Sequence, residues 1–181
     1  ELSPCSVAPR EVLVGAMAAA TAPLNSDLTA PGGSLLDHHV LVHAVDGFPP
    51  GTYRWDGGLY PLEPRDDTRS LGQFLTLDQE LGGAGAYTVF SGADLEGVTA
   101  ALGDRGYRCA QLEAGVVEGR LHLAAYALGF GASGLTFFDE EVRAAFGTSS
   151  WPMLATAVGR PTYRSKPGGD PGRPTVLSAW L

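Results

Sequence analysis

The strongest pattern in the chain is a run of apolar residues at three- and four-residue spacing between Tyr107 and Phe130. The spacing predicts one long helix, whose first apolar set is Ala110, Ala114, Val117, Leu121, Ala124 and Leu128. A second set covers another side of it: Leu112, Val116, Leu123 and Tyr126. A helix that is apolar on nearly every side is buried on nearly every side. We therefore expect a central helix, half of whose cover could come from a second subunit.

Shorter patterns predict the elements around this helix. Helices are expected at 9–21, 70–81, 94–102 and 138–146, and strands at 39–45, 86–90 and 152–158. Segments 52–55 and 59–62 flank Asp56-Gly57-Gly58, which predicts a β-hairpin. We expect an α+β fold, a mixed sheet of four or five strands wrapped by helices. No repeat or linker is visible, so a single domain over residues 1–181 is expected.

Charge is distributed unevenly along the 181 residues, which have a net charge of −8. From residue 160 onward there are four basic residues and one acidic residue, and Lys166 is the only lysine of the chain. The remaining residues have a net charge of −11. The basic tail either binds an anionic group, with Arg164 and Lys166 as its ligands, or is simply solvated.

Composition excludes several classes of protein. A net negative charge argues against general nucleic-acid binding, and no apolar run reaches the roughly 20 residues that span a bilayer. Glu1-Leu2-Ser3-Pro4 does not resemble a signal peptide, and the missing initial Met indicates a trimmed or excised piece. Two cysteines, Cys5 and Cys109, are too few for a disulfide framework, so a cytoplasmic setting is expected, although one disulfide stays possible.

Two motifs invite a functional interpretation. Gly129-Phe130-Gly131-Ala132-Ser133-Gly134 has the letters of a dinucleotide fingerprint, but it follows a helix instead of a strand, so a helix cap or a backbone turn close to a flat ligand is favoured. His38, His39 and His43 have the spacing H-H-x-x-x-H, in which His39 and His43 share one face of a strand. Without a third ligand nearby, structural or surface histidines are favoured over a metal site.

Four segments together closely resemble the nitroreductase family, and most closely its branch of SagB-type dehydrogenases and thiazoline/oxazoline oxidases. They are Asp104-Arg105-Gly106-Tyr107-Arg108, Leu112-Glu113-Ala114-Gly115, the run from Leu121 to Ala132, and Phe138-Asp139-Glu140-Glu141-Val142. Upstream, Gly51-Thr52-Tyr53-Arg54-Trp55 and Pro31-Gly32-Gly33-Ser34 are similar to two further family segments. The resemblance covers nearly the whole chain.

This resemblance implies an FMN-binding homodimer with the flavin at the subunit interface. By position, Gly32, Gly33 and Ser34 would lie near the flavin, and Ser133, Gly134, Leu135, Thr136 and Phe137 would run beside its ring. The backbone N–H of Thr136 or Phe137 would face N5, and Arg164 and Lys166 would approach the phosphate. The implied activity is hydride transfer through flavin N5, with NAD(P)H or a substrate C–H as donor and a small molecule or peptide as substrate. No catalytic side chain is identified, in keeping with the absence of any nucleophile motif.

The sequence departs from the family pattern at its beginning, because no arginine precedes Arg10 where the family has one for the flavin phosphate. A flavin-free, nitroreductase-like scaffold or partner protein without catalysis is therefore the alternative. A fragment of a longer tandem protein is a third possibility.

Overall fold

A computed structural model describes residues 2–4, 6–27 and 33–162. The helices are α1 Arg10–Ala20, α2 Thr68–Leu75, α3 Leu81–Ala84, α4 Leu95–Leu102, α5 Gly106–Ala127 and α6 Asp139–Phe146. The strands are β1 Leu36–Val42, β2 Gly51–Trp55, β3 Leu59–Pro64, β4 Tyr87–Ala93, β5 Gly131–Leu135 and β6 Trp151–Gly159. A short 3-10 turn, Gly103–Arg105, joins α4 to α5.

The strands form one sheet with the order β3-β2-β1-β4-β6-β5, and every neighbouring pair is antiparallel. The predicted α+β class is confirmed, with six strands in the described residues instead of four or five. The hairpin between β2 and β3 turns at Asp56-Gly57-Gly58, as predicted.

Helices cover both faces of the sheet, because side chains of a strand alternate between its faces. On one face, Val40 and Val42 of β1 join a core with α1 and α5 that includes Leu13 and Leu121. On the other face, Leu41 joins a second core with α2 and α6, which includes Leu75, Val142 and Phe146. The central strands β1 and β4 are therefore buried between two apolar layers.

The two edges of the sheet differ in chemistry. β3, at one edge, contains Pro61 and Pro64, and all but its first residue are exposed. β5, at the other edge, has the sequence Gly-Ala-Ser-Gly-Leu and pairs only with β6 in the described part of the chain. Gly134 is the one exposed residue of β5, and the absence of a side chain there leaves its backbone accessible.

The sequence pattern did not predict β5, which is the largest difference between the predicted and the observed elements. The segment is rich in glycine and too short for a clear alternation, so its pattern predicts only a helix cap or a backbone turn. The helix itself ends at Ala127 instead of Phe130, and Gly129 takes the left-handed conformation with φ +77°. The glycine motif is thus a helix end that leads into an edge strand.

The predicted helix at 70–81 is also wrong in its second half. α2 ends at Leu75, and a tight turn with Leu77 and Asp78 in the left-handed region leads to α3. α2 and α3 pack so closely that a Cβ on Gly82 would collide with the Thr76 hydroxyl and the Gly72 carbonyl. This contact requires a chain reversal that a continuous helix cannot provide.

The central helix α5 is confirmed, but in this chain it is buried on one side only. Ala110, Ala114, Val117 and Leu121 are buried, whereas Leu112 and Leu123 are 66% and 70% exposed. Gly115 and Gly119 lie on the same open face as these leucines, with no atom near their Cβ positions. Together with these two glycines, the second apolar set of the helix therefore forms a mostly exposed stripe in the described part of the chain. We call it the α5 stripe: Leu112, Gly115, Val116, Gly119, Leu123 and Tyr126.

Candidate functional site

The edge strand β5 places the predicted site residues Ser133, Gly134 and Leu135 in a row with different exposures. Leu135 is buried in the core with α2 and α6, Ser133 is half-buried and Gly134 is exposed. The side of the strand that faces away from β6 has no strand beside it among the described residues. This edge can therefore offer backbone N–H and C=O groups to a flat ligand.

Thr136 and Phe137 follow β5 and point in different directions. The Phe137 side chain packs against the core with α2 and α6, whereas Thr136 is exposed. Phe137 can thus contribute only its backbone to a ligand at this edge. Thr136 can contribute both its backbone and its hydroxyl.

The Gln79 side chain binds Thr136, a contact that the sequence did not reveal. Its Nε2 donates to Thr136 Oγ1 at 2.7 Å, to Thr136 O at 3.3 Å and to Thr76 O at 2.8 Å. Phe138 N also donates to Leu75 O at 2.9 Å. The end of α2 and the turn after it therefore fix the position of the residues that follow β5. Residues 57 positions apart in the chain form this contact, so no local pattern could have predicted it.

Glu118 of α5 is a second residue that sequence reasoning missed. Its carboxylate lies against Gly134, where a Cβ on that glycine would collide with Oε1. Because only the end of a flexible side chain occupies this space, a ligand could displace it. The site therefore contains a negative charge next to the most exposed residue of β5.

Ser34 lies at a different place on α5. Its hydroxyl donates to Glu113 Oε1 at 2.5 Å, and Leu35 N donates to Glu113 Oε2 at 3.1 Å. Glu113 and Glu118 are five residues apart, which places them about 140° apart around the helix. Ser34 and Gly134 therefore contact different faces of α5, and one chain does not bring these two parts of the predicted site together.

The remaining predicted site residues lie near or outside the described part. Gly33 lies beside Ser34 and lines a cavity of about 220 Å³ together with His38, Trp55, Glu113 and Arg120. Gly32, Arg164 and Lys166 fall outside the described residues. Just before the tail, Leu2 pairs with Pro161, and both lie within 3.7 Å of a Cβ position on Gly131. The basic tail thus begins next to Gly131, the first residue of β5.

Three arginines of the described residues stack on aromatic rings, and two of them, Arg160 and Arg10, bear on the predicted site. The Arg160 guanidinium lies 4.8 Å from the centre of the Phe130 ring, at the same end of β5. Arg10, the first arginine of the sequence, lies 4.4 Å from the centre of the Phe48 ring. Arg160 therefore places a positive charge near β5, whereas the Arg10 side chain contacts Phe48 instead.

The three histidines of the H-H-x-x-x-H motif are buried and lie on the faces that strand geometry predicts. His39 contacts the Phe146 ring at 5.1 Å between centroids, and His43 binds Gly82 O at 2.9 Å, both on the side of α2, α3 and α6. His38 points to the other face and pairs with Ser91 Oγ at 2.9 Å. Burial lowers the pKa of His38 and of His43 to about 4, since it disfavours the charged ring. In the described residues, no group of three or more histidines, cysteines or carboxylates is placed to hold a metal ion.

Two further observations concern the rest of the molecule. Cys109 is a free, half-buried thiol on α5. None of the helices in the described ranges is both long and apolar enough to cross a lipid bilayer.

The antiparallel sheet, with the long helix α5 on one face and the edge strand β5 after it, matches the fold of solved nitroreductase-type structures. A solved structure from Anabaena variabilis that is named as a nitroreductase superposes on 86% of this chain with a TM-score of 0.77 and 28% sequence identity. The McbBCD microcin synthetase complex of E. coli, with truncated pro-MccB17 bound, contains a chain that matches 90% of this one at a TM-score of 0.74 and 16% identity. A nitroreductase from Exiguobacterium sibiricum in complex with FMN matches 94% at 0.61 and 11% identity. The last two show the fold alone.

Sequence comparison gives a shorter match. A protein of Methanocaldococcus jannaschii that is named as a nitroreductase is 36% identical over 69 residues, 38% of this chain. No family model matches the sequence. The chain spans about a third of the length of the M. jannaschii relative and of the Anabaena protein, and about two thirds of the E. coli chain. These neighbours support the nitroreductase family for this chain.

Proposed function

We propose that the chain is an FMN-dependent oxidoreductase of nitroreductase type, in the SagB-type dehydrogenase branch. The observation that carries this proposal is the accessible edge strand β5 with Thr136 at its exit, in a nitroreductase-type fold. FMN bound there would accept and release hydride at N5. The electron donor would be NAD(P)H or a substrate C–H, the substrate a small molecule or peptide, and the setting the cytoplasm.

The described residues fit a flat ring at this edge. Gly134 presents no side chain, the Phe137 ring turns into the core, and the flexible Glu118 side chain is the group nearest to the Cβ position of Gly134. Ser133, Gly134 and Thr136 would hold the ring through their backbone and the Thr136 hydroxyl. Arg164 and Lys166 would bind the phosphate, since the tail begins next to Gly131. The protein would thus supply dipoles, charge and shape, while the cofactor supplies the redox chemistry.

A second copy of the chain would complete the site. Ser34 and Gly134 contact different faces of α5, so both could approach one flavin only if they came from different subunits. The α5 stripe is uncovered, and Gly115 and Gly119 would let a second helix approach closely. We therefore propose a homodimer in which the two α5 helices pack against each other.

Titration with FMN tests the proposal. The purified chain should retain FMN after desalting, with the flavin absorbance at one equivalent per chain. Gly134→Val should lose the flavin, because a branched side chain would stand where the ring lies. Gly15→Val is the matched control, since Gly15 is exposed on α1 with open space at its Cβ position. A wild-type protein that stays colourless after FMN addition would refute the enzyme proposal.

Two observations favour the second candidate, a flavin-free scaffold or partner protein. The Glu118 carboxylate adds negative charge beside Gly134, and Arg10 stacks on Phe48 instead of facing β5. If this candidate holds, wild-type and Gly134→Val proteins will be equally colourless, while dimerisation through α5 persists.

A further inference from the structure

The turn between α2 and α3 has an unusual backbone. Leu77 and Asp78, two consecutive residues that are not glycine, have φ values of +56° and +58°. Side chains disfavour this region because Cβ approaches the carbonyl oxygen, and residues kept there cluster at functional sites. This turn delivers the Gln79 side chain to Thr136.

The hydrogen-bond partners of Gln79 determine which way its side-chain amide is oriented. Two of the three partners of its Nε2 are carbonyl oxygens, of Thr76 and Thr136, and carbonyl oxygens only accept. The side-chain amide is therefore oriented with its NH2 group toward Thr136. The third partner, Thr136 Oγ1 at 2.7 Å, must accept as well.

This assignment leaves the Thr136 hydroxyl with its own proton to donate. A hydroxyl has one donor and two acceptor positions, and Gln79 occupies an acceptor position. No acceptor for the Thr136 O–H is found among the described contacts, and Thr136 is exposed. The hydroxyl is thus a donor directed away from Gln79, at the exit of the accessible edge strand.

We propose that Gln79 is a positioning residue, which fixes the Thr136 hydroxyl as a hydrogen-bond donor to the ring edge of the bound flavin. This inference rests on the proposed function. Phe138 N to Leu75 O and the turn with Leu77 and Asp78 keep Gln79 in place, so the donor is set before the ligand binds. Directed at a carbonyl oxygen of the ring, this donor would stabilise the electron-rich reduced flavin more than the oxidised form and would raise the reduction potential.

The test compares the midpoint potential and the FMN dissociation constant of the wild-type holoprotein with those of variants. Thr136→Val removes the donor and should lower the potential and weaken FMN binding about three- to tenfold. Thr136→Ser keeps the hydroxyl and should behave like the wild type. Gln79→Met is close in size but lacks the donor, and it should lower the potential in the same direction.

A double variant separates positioning from general packing. Gln79→Met should have no further effect on the potential once Thr136 is Val, because Gln79 acts through the hydroxyl. Equal shifts from Gln79→Met in both backgrounds would overturn the inference. So would a Thr136→Val protein with the wild-type potential, and this measurement stays decisive if Gln79→Met fails to fold, because Thr136 is exposed.

The failure of this inference differs from the failure of the proposed function. A wild-type chain that binds no FMN refutes both. A wild-type chain that binds FMN with the same potential as Thr136→Val upholds the oxidoreductase and refutes only the role of Gln79 and Thr136.

Discussion

His43 is buried, and its two ring nitrogens have different environments. Nε2 contacts Gly82 O at 2.9 Å, and Nδ1 has no partner in the described contacts. Because a carbonyl only accepts, Nε2 carries the proton and the ring is neutral. Burial and the nearby Arg69 lower the pKa of His43 to about 4, from 6.5. The ring is therefore a neutral spacer between β1 and α3 at physiological pH.

This pKa predicts a loss of stability in acid. The unfolded chain takes up a proton near pH 6.5 and the folded chain only near pH 4, so stability is complete above pH 6.5 and falls between these values. For His43 the loss amounts to roughly 3 kcal/mol in the free energy of unfolding. His43→Gln can keep a donor toward Gly82 but cannot titrate, so it should flatten the pH dependence.

Urea unfolding from pH 7 to pH 4 measures this effect. Burial also lowers the pKa of His38 and His39, so part of the acid loss should remain in His43→Gln. If the unfolding free energy of His43→Gln falls as steeply toward pH 4 as that of the wild type, His43 is not responsible for the loss of stability in acid.

At the scale of the element, the α5 stripe is an exposed apolar surface with no covering element among the described residues. Tyr126 is 61% exposed, and Leu112 and Leu123 are more exposed still. The residues of the stripe recur at three- and four-residue spacing, so they form one continuous ridge along the helix. Such a ridge can pack against the same ridge on a second copy of the chain.

A charge within the stripe should therefore separate the subunits. The wild-type chain should have twice the 18.8 kDa mass of one chain in light scattering at micromolar concentration. Leu123→Glu should shift it to the monomer mass, because the carboxylate would have to be buried against the partner helix. Leu62→Glu, on the exposed strand β3, is the matched control and should remain a dimer. A monomeric wild type would contradict the proposed dimer.

Sequence reasoning found elements whose pattern is local. The spacing along α5 and the Asp56-Gly57-Gly58 turn both depend on residues that are neighbours in the sequence. β5 was missed because an edge strand of small residues contains no hydrophobic alternation. The end of α2 was missed because the close contact of Gly72 with Gly82 determines it.

The candidate site was predictable only where the family resemblance indicated it. Ser133 and Gly134 lie on the edge strand β5, and their position beside a flavin ring stays a prediction. Gln79 and Glu118 were not predicted, since their roles arise from contacts with residues far away in the chain. That Ser34 faces Glu113, away from Gly134, required the three-dimensional position of both around α5.

At the scale of the whole molecule, one sheet separates two cores. Val42 is buried on the face of α1 and α5, and Val142 of α6 is buried on the other face. The sheet between them is a continuous hydrogen-bonded layer, so the two apolar layers share few direct contacts. We expect each layer to contribute to stability independently.

Two valine truncations test this independence. Val42→Ala and Val142→Ala should each cost about 2 kcal/mol in the free energy of unfolding, from lost burial and the cavity that remains. The double variant should lose about 4 kcal/mol, because residues that share no partner have additive effects. Chemical denaturation measures all three, and a sum that differs from the double variant by more than about 1 kcal/mol would show that the layers are coupled.

Because the two edges of the sheet differ, a further strand can be added at only one of them, β5. Pro61 and Pro64 remove N–H groups from β3, so another strand cannot add there in register. β5 has no such block. An uncovered β5 could pair only with another β5, and that pairing would close after two copies. Sheet pairing by itself would thus join protein without a ligand at this edge into pairs and not into fibres, because no second sheet edge is left to continue the pairing.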